Sequence, residues 1–345
     1  MNIEKRSARF GAAILIFSLL LRLLGAVATP QARAESFSRL EGVVDFLHTG
    51  WRAHRGPGGV SLGTPITAPV DPEPTPPPTA PTLPPQRPAG ISFSSADMAY
   101  IKFKYATDCS YRTELEPLLL QPLQWQLDAE APSVLIIHSH ATESYTKVPG
   151  QNYQESSDYR TRDPSYNMIA VGDALAELLQ QRGIGVIHDR QQHDAQSYNA
   201  AYANSRKSVE EYLREYPSIR IVLDLHRDAA LNADGTQYAT SAMVNGEKSA
   251  QIMLLAGTDS VGGSHPGWRE NLSLALKLQA LLEKAHPGIT RQTLLRGYGF
   301  NQDLCSGMLI VEVGTAGNTL QHALRAMVPL ADAIAALKNG ANYEQ

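Results

Sequence analysis

"VLIIHSHATESYT" runs from Val134 to Thr146. Val134, Leu135, Ile136 and Ile137 form an unbroken apolar run, as in a strand buried on both faces. Two histidines and a glutamate follow with no turn residue between them. Imidazoles and carboxylates are costly to bury unless something pairs with them, and a metal ion is one such partner. A buried strand that ends in His138, His140 and Glu143 therefore suggests both a sheet and a site at its carboxyl edge.

The segments downstream repeat that rhythm. Helical spacing predicts a helix over Met168–Gln181 closed by Gly183, and an apolar run predicts a strand over Gly185–His188. A helix over Asn199–Tyr216 stops before Pro217, and "IRIVLDLH" (219–226) and "AQIMLLAG" (250–257) read as strands. Asn271–Ala285 predicts a helix, "GMLIVEVG" (307–314) a strand and Thr319–Leu337 a closing helix. Strands alternating with helices of this length predict an α/β domain, a three-layer sandwich around a mostly parallel or mixed sheet. In such sheets ligands bind at the carboxyl ends of the strands.

Three predicted strands carry polar groups there: His138, His140 and Glu143 on the first, His226 on the second, and Glu312 inside "MLIVEVGT". His-x-x-Glu followed by a distant histidine supplies three ligands of the kind zinc takes at catalytic sites, leaving a fourth position for water. A further glutamate that is not a ligand can act as general base on that water. The spacing to Glu143 makes His140 the ligand, with Glu143 and His226 completing the set. His138 is left to support the site or touch substrate. Glu312, among Leu309, Ile310, Val311 and Val313, is the candidate catalytic carboxylate. Asp224, Arg227 and Asp228 crowd His226, and such carboxylates commonly orient a ligating imidazole through its other nitrogen. Arg227, and Asn301 in the loop "RGYGFNQDL" (296–304), are the remaining candidates for substrate contact. Zinc carboxypeptidases use a similar His-x-x-Glu, distant His and late Glu on an α/β sheet, so the expected fold is of the phosphorylase/hydrolase-like, zinc amidase or carboxypeptidase type.

The chain of 345 residues is 43% apolar and 19% charged, enough to bury a sizeable core. A formal net charge of −4 offers no basic footprint for nucleic acid. Cys109 and Cys305, the only cysteines, exclude a zinc ribbon or a disulfide scaffold, and their spacing leaves a single disulfide open. Lys5, Arg6 and Arg9 precede an apolar stretch from Gly11 to Ala28. Its length favours a retained single membrane span over a cleaved signal ending at "AVA" (26–28) or "ARA" (32–34). Either reading exports the rest of the chain. Residues 1–34 thus form the anchor or signal, 35–64 a juxtamembrane segment and 65–94 a linker. That linker holds 11 prolines in the 24 residues from Pro65 to Pro88, a semi-rigid spacer that cannot form a core. The catalytic domain is expected over 95–345.

Longer motifs narrow this further. "VLIIHSHATESY", "YNMIAVGDALAELLQQRGIGVIHD", "YNAAYANSRKSVEEYLREYPSIRIVLDLHRDA", "HPGWRENLSLALKLQ" and "GFNQDLCSGMLIVEVGTAGNTL" closely resemble the stage II sporulation protein P family over roughly residues 95–340. The resemblance implies a membrane-anchored, zinc-dependent peptidoglycan hydrolase of endospore-forming bacteria. It would cut the N-acetylmuramoyl-L-alanine amide and cross-links between stem peptides during engulfment, working with stage II sporulation proteins D and M. It also implies a relation to zinc N-acetylmuramoyl-L-alanine amidases, in which His140, Glu143 and His226 correspond to ligands and Glu312 to the catalytic glutamate. Cys305, in "DLCSG", stands where a small residue or serine is expected. The competing class is a degenerate module on the same fold that grips peptidoglycan or recruits partners without cutting, and zinc content separates the two.

Overall fold

The computed structural model describes residues 90–343. The proposed anchor, the juxtamembrane segment and almost all of the proline-rich linker lie outside those residues. Among the described residues no helix is long and apolar enough to cross a membrane.

The strands are β1 (Ile91–Phe93), β2 (Phe103–Tyr105), β3 (Pro132–Ile137), β4 (Gly185–His188), β5 (Ile221–Asp228), β6 (Ser241–Val244), β7 (Glu247–Ala250), β8 (Ile252–Gly257), β9 (Thr293–Arg296), β10 (Met308–Thr315) and β11 (Ala341–Tyr343). The helices are α1 (Glu116–Leu120), α2 (Met168–Gln181), α3 (Ala201–Glu215), α4 (Trp268–Ala285) and α5 (Leu320–Ala336). Seven strands form one sheet in the order β2-β9-β8-β10-β5-β3-β4. All its pairings are parallel except that of β8 with β10, so the sheet is mixed. This is the α/β sandwich expected from the alternation of apolar strands and amphipathic helices.

Strand periodicity divides the core. Val134, Ile136, Leu223, Leu225, Leu309, Val311 and Val313 join α2, α4 and α5 in the main core, while Leu135, Ile137, Val222 and Met308 pack with Val209 of α3 on the other face. The third layer is thus one helix on the β3 and β5 side. Local chemistry sets the helix ends. The Asn167 side chain caps α2 by accepting from the Ile169 amide, and Gly183, at φ +70°, lets the chain leave that helix for β4.

Several short elements carry little apolar signal. Ile91–Phe93, which the sequence reading places in the linker, forms β1 and pairs in parallel with β11 near the end of the chain. Phe93 is almost fully buried, so these residues belong to the fold. β6 and β7 form a hairpin turned by Asn245 and Gly246, both at positive φ. The two cysteines are free thiols, which settles against a disulfide between them.

Candidate metal and catalytic site

The site is built where β3, β5 and β10 lie side by side. β3 ends at Ile137 and the chain turns over residues 139–142. The turn carries His140 and Glu143 towards β5, where His226 points to the same place. One ligand atom from each of His140, Glu143 and His226 lies within 4.8 Å of the others, and all three residues are buried. Nδ1 of His226 is 3.4 Å from Glu143 Oε2, and Nδ1 of His140 is 4.0 Å from Glu143 Oε1. Burial opposes the charge on Glu143, but hydrogen bonding and charge from His226, with Arg227 and His140 nearby, hold its pKa down to about 2. Glu143 is therefore an anion at the centre of two imidazoles.

The opposite edge of His226 meets Asp224. Its Nε2 is fully enclosed and 3.0 Å from Asp224 Oδ1, a close charge contact off the line of a hydrogen bond. Asp224 is itself held by the Ser139 amide at 2.7 Å and the Ser139 hydroxyl at 2.5 Å. A carboxylate against the far nitrogen is the arrangement that turns an imidazole's other nitrogen towards a metal. Two imidazoles and one carboxylate converging in this way fit the donor set zinc takes at catalytic sites. His140, Glu143 and His226 are thus the residues that would hold the ion.

Glu312 sits on β10 directly opposite His226 in the register, about 4.8 Å away from strand to strand. Its Oε2 is buried without a hydrogen-bond partner. Burial raises its pKa to about 8, with His226 opposing and the Glu143 and Asp228 carboxylates adding to the rise. Just beyond it, Gly314 adopts φ +67° in an irregularity of the β10 ladder. A Cβ there would lie 2.5 Å from Asn318 Oδ1, so only glycine fits.

The three residues expected to touch substrate make contacts within the protein. His138 is fully buried on the α2 face, its Nδ1 3.1 Å from the Leu225 carbonyl and its Nε2 2.8 Å from Nε2 of His188. Burial, helped by the nearby His188, pushes its pKa down to about 3. Arg227 turns inward: its side chain donates to the Ser144 and Tyr159 carbonyls, and its backbone amide donates to Glu143 Oε2 at 3.1 Å. It braces the Glu143 turn. Asn301 donates to the Tyr202 carbonyl at 2.8 Å and fastens its loop to α3.

Other residues come to the site that the sequence did not single out. Tyr198 stacks flat on His140 with ring centroids 4.3 Å apart, and Tyr202 meets the same ring edge-on. Arg160 bridges Glu143 at 3.1 Å and Asp194 at 2.9 Å. Nothing marks these tyrosines in the sequence, because they open a helix whose spacing accounts for them without chemistry.

The family model for stage II sporulation protein P matches residues 92–335. The chain belongs to that family. Among curated proteins it resembles stage II sporulation protein P of Bacillus subtilis (strain 168), 28% identical over 218 residues, which cover 60% of this chain and 51% of the relative. This stage II sporulation protein P family member thus matches about half the length of that relative. Among solved structures it is similar to the CwlD amidase of Clostridioides difficile in complex with the GerS lipoprotein, at 13% identity and TM-score 0.37, covering 59% of this chain and 94% of that one. It is also similar to the N-acetylmuramoyl-L-alanine amidase AmiC2 of Nostoc punctiforme, at 13% identity and TM-score 0.35, covering 59% and 93%.

Proposed function

We propose that this family member is an exported, membrane-anchored peptidoglycan hydrolase of sporulation that cuts the N-acetylmuramoyl-L-alanine amide and stem-peptide cross-links. The observation that carries the reading is the convergence of His140, Glu143 and His226 beside Glu312, whose buried Oε2 has no partner. Membership of the family supports the sporulation setting and the peptidoglycan substrate. Stage II sporulation proteins D and M are the partners proposed with it, and the Gly11–Ala28 stretch the proposed anchor.

Amide hydrolysis needs an activated water and a proton for the departing nitrogen. Bound zinc supplies Lewis acidity and a lowered water pKa. Glu312 supplies the proton relay. Its carboxylate takes a proton from water and returns it to the leaving amine, a role suited to a pKa near neutrality. Asp224 orients His226, while Arg227 and Arg160 fix Glu143. Glu312→Gln keeps the shape of the side chain and removes the relay. The expected result is a fold that keeps its zinc but loses on the order of 10²-fold or more in muropeptide release, followed by mass spectrometry. Near-normal turnover would move the role to another residue, and loss of zinc would make Glu312 a ligand.

A further inference from the structure

α3 packs on the β3 and β5 side of its face of the sheet. Beyond β10 the same face is open, and Met253 and Leu255 of β8 with Leu294 of β9 line a groove of about 510 Å³. Glu312 stands at one end of it, while Lys104, Arg291 and Arg296 stand along the rim. The register sets the distance. Glu312 pairs with Met253, Leu255 with Leu294, and Leu294 with Lys104, so three strand steps across the sheet and two residues along β8 put Lys104 about 16 Å from Glu312. An extended peptide advances about 3.3 Å per residue, so the groove spans roughly four to five residues.

The charges on the rim complement one kind of occupant. The lining carboxylates are Glu312 itself and Asp228, and Asp228 is held by Arg291 at 2.6 Å. Arg296 binds Asp108 through Nε at 2.8 Å, which leaves its terminal N–H groups for a second acceptor. Lys104 is exposed and makes no ion pair among the described residues. An apolar floor with an unpaired ammonium and half-satisfied guanidinium groups above it suits a short peptide with free carboxylates, as peptidoglycan stem peptides have.

We propose that this groove is the stem-peptide subsite, in which Lys104 and Arg296 read the free carboxylates of an extended peptide of about four to five residues while its reactive end lies at Glu312. The inference deepens the hydrolase reading and rests on it. It makes Lys104 a specificity residue rather than a surface charge.

The test measures binding rather than turnover. The full chain carrying Glu312→Gln is titrated with a synthetic muramoyl tetrapeptide, and with the same compound whose side-chain and α-carboxylates are amidated. Tighter binding of the free acid is expected, weakening as salt rises. Adding Lys104→Glu should weaken that binding about tenfold or more and leave the amidated compound unchanged, the size of a lost charge-assisted contact. In the catalytically intact chain Lys104→Glu should raise KM with kcat within about twofold, since only binding is touched. Equal affinity for acid and amide, or no effect of Lys104→Glu and Arg296→Gln on the free acid, would overturn the subsite. Carboxylate-dependent binding by a chain that cuts no amide would uphold the subsite and sink the hydrolase reading.

Discussion

His138 lies against α2 on the closed face of the sheet, whereas His140, two residues on, faces α3 beside Glu143 and His226. The first imidazole has both nitrogens engaged, by the Leu225 carbonyl and by His188. The second belongs to a group of donors aimed at a common point, and Glu312, opposite His226 in that group, keeps an enclosed oxygen with no partner. Residue type is the same and burial is similar, so neither separates the two. Satisfaction does: both nitrogens of His138 are met within the protein, whereas Glu312, paired with His226 in the strand register, keeps a buried oxygen without a partner.

Metal content is the strongest way to break that comparison. His140→Ala and His226→Ala should each lose stoichiometric zinc by elemental analysis, a fall in affinity of about 10²-fold or more, while His138→Ala keeps it. The reverse pattern, with metal lost only from His138→Ala, would exchange the two roles.

Stability against pH tests the unsatisfied carboxylate. In chelator-treated protein Glu312 titrates near 8 when folded and near 4.5 when unfolded. Between those values the unfolded chain gives up a proton the folded one retains, so the burial of Glu312 costs stability progressively as pH rises from about 4.5 to about 8. Glu312→Gln removes that penalty. It should therefore gain on the parent chain with rising pH, by a few kcal/mol at pH 8 and little at pH 4.5, in denaturant titrations. A constant difference across that range would mean that the carboxylate is satisfied after all.

A smaller effect is expected on the closed face. A Cβ on Gly172 of α2 would lie 2.3 Å from His188 Nε2 and 2.6 Å from His138 Nε2. Gly172→Ala should thus lower stability by about 1–3 kcal/mol through overpacking, measured by thermal denaturation, with zinc content unchanged. If zinc fell with stability, the two faces would be coupled rather than separate.

The larger elements were legible because their apolar pattern is dense. β3, α2, β4, β5, α4, β10 and α5 all lie within a few residues of where the sequence predicts them. The three-residue strands were not, since β1, β2 and β11 gain order only from partners far away in the chain. The hairpin of β6 and β7 did carry an Asn-Gly signal, flanked by residues too polar to read as strands. At the site, the types and spacing of His140, Glu143, His226 and Glu312 already marked them as a set, and the structure brings the first three together with Glu312 alongside. The directions of His138, Arg227 and Asn301 were not readable, because they depend on one turn and on which carbonyls lie within reach. The basic rim was hidden for the same reason: Lys104 and Arg296 share a face only once the register of β2, β9 and β8 is set.

The pairing of β1 with β11 has a mechanical consequence. The chain preceding Gly90 enters the domain through β1, and that strand is held by three residue pairs and the burial of Phe93. A two-stranded ribbon is weak on its own, so tension transmitted along the leading chain would peel this ribbon first. β1 has no place in the seven-stranded sheet that carries His226 and Glu312. It would act as a fuse: a pull strong enough to free it releases a few residues and leaves the seven-stranded sheet intact.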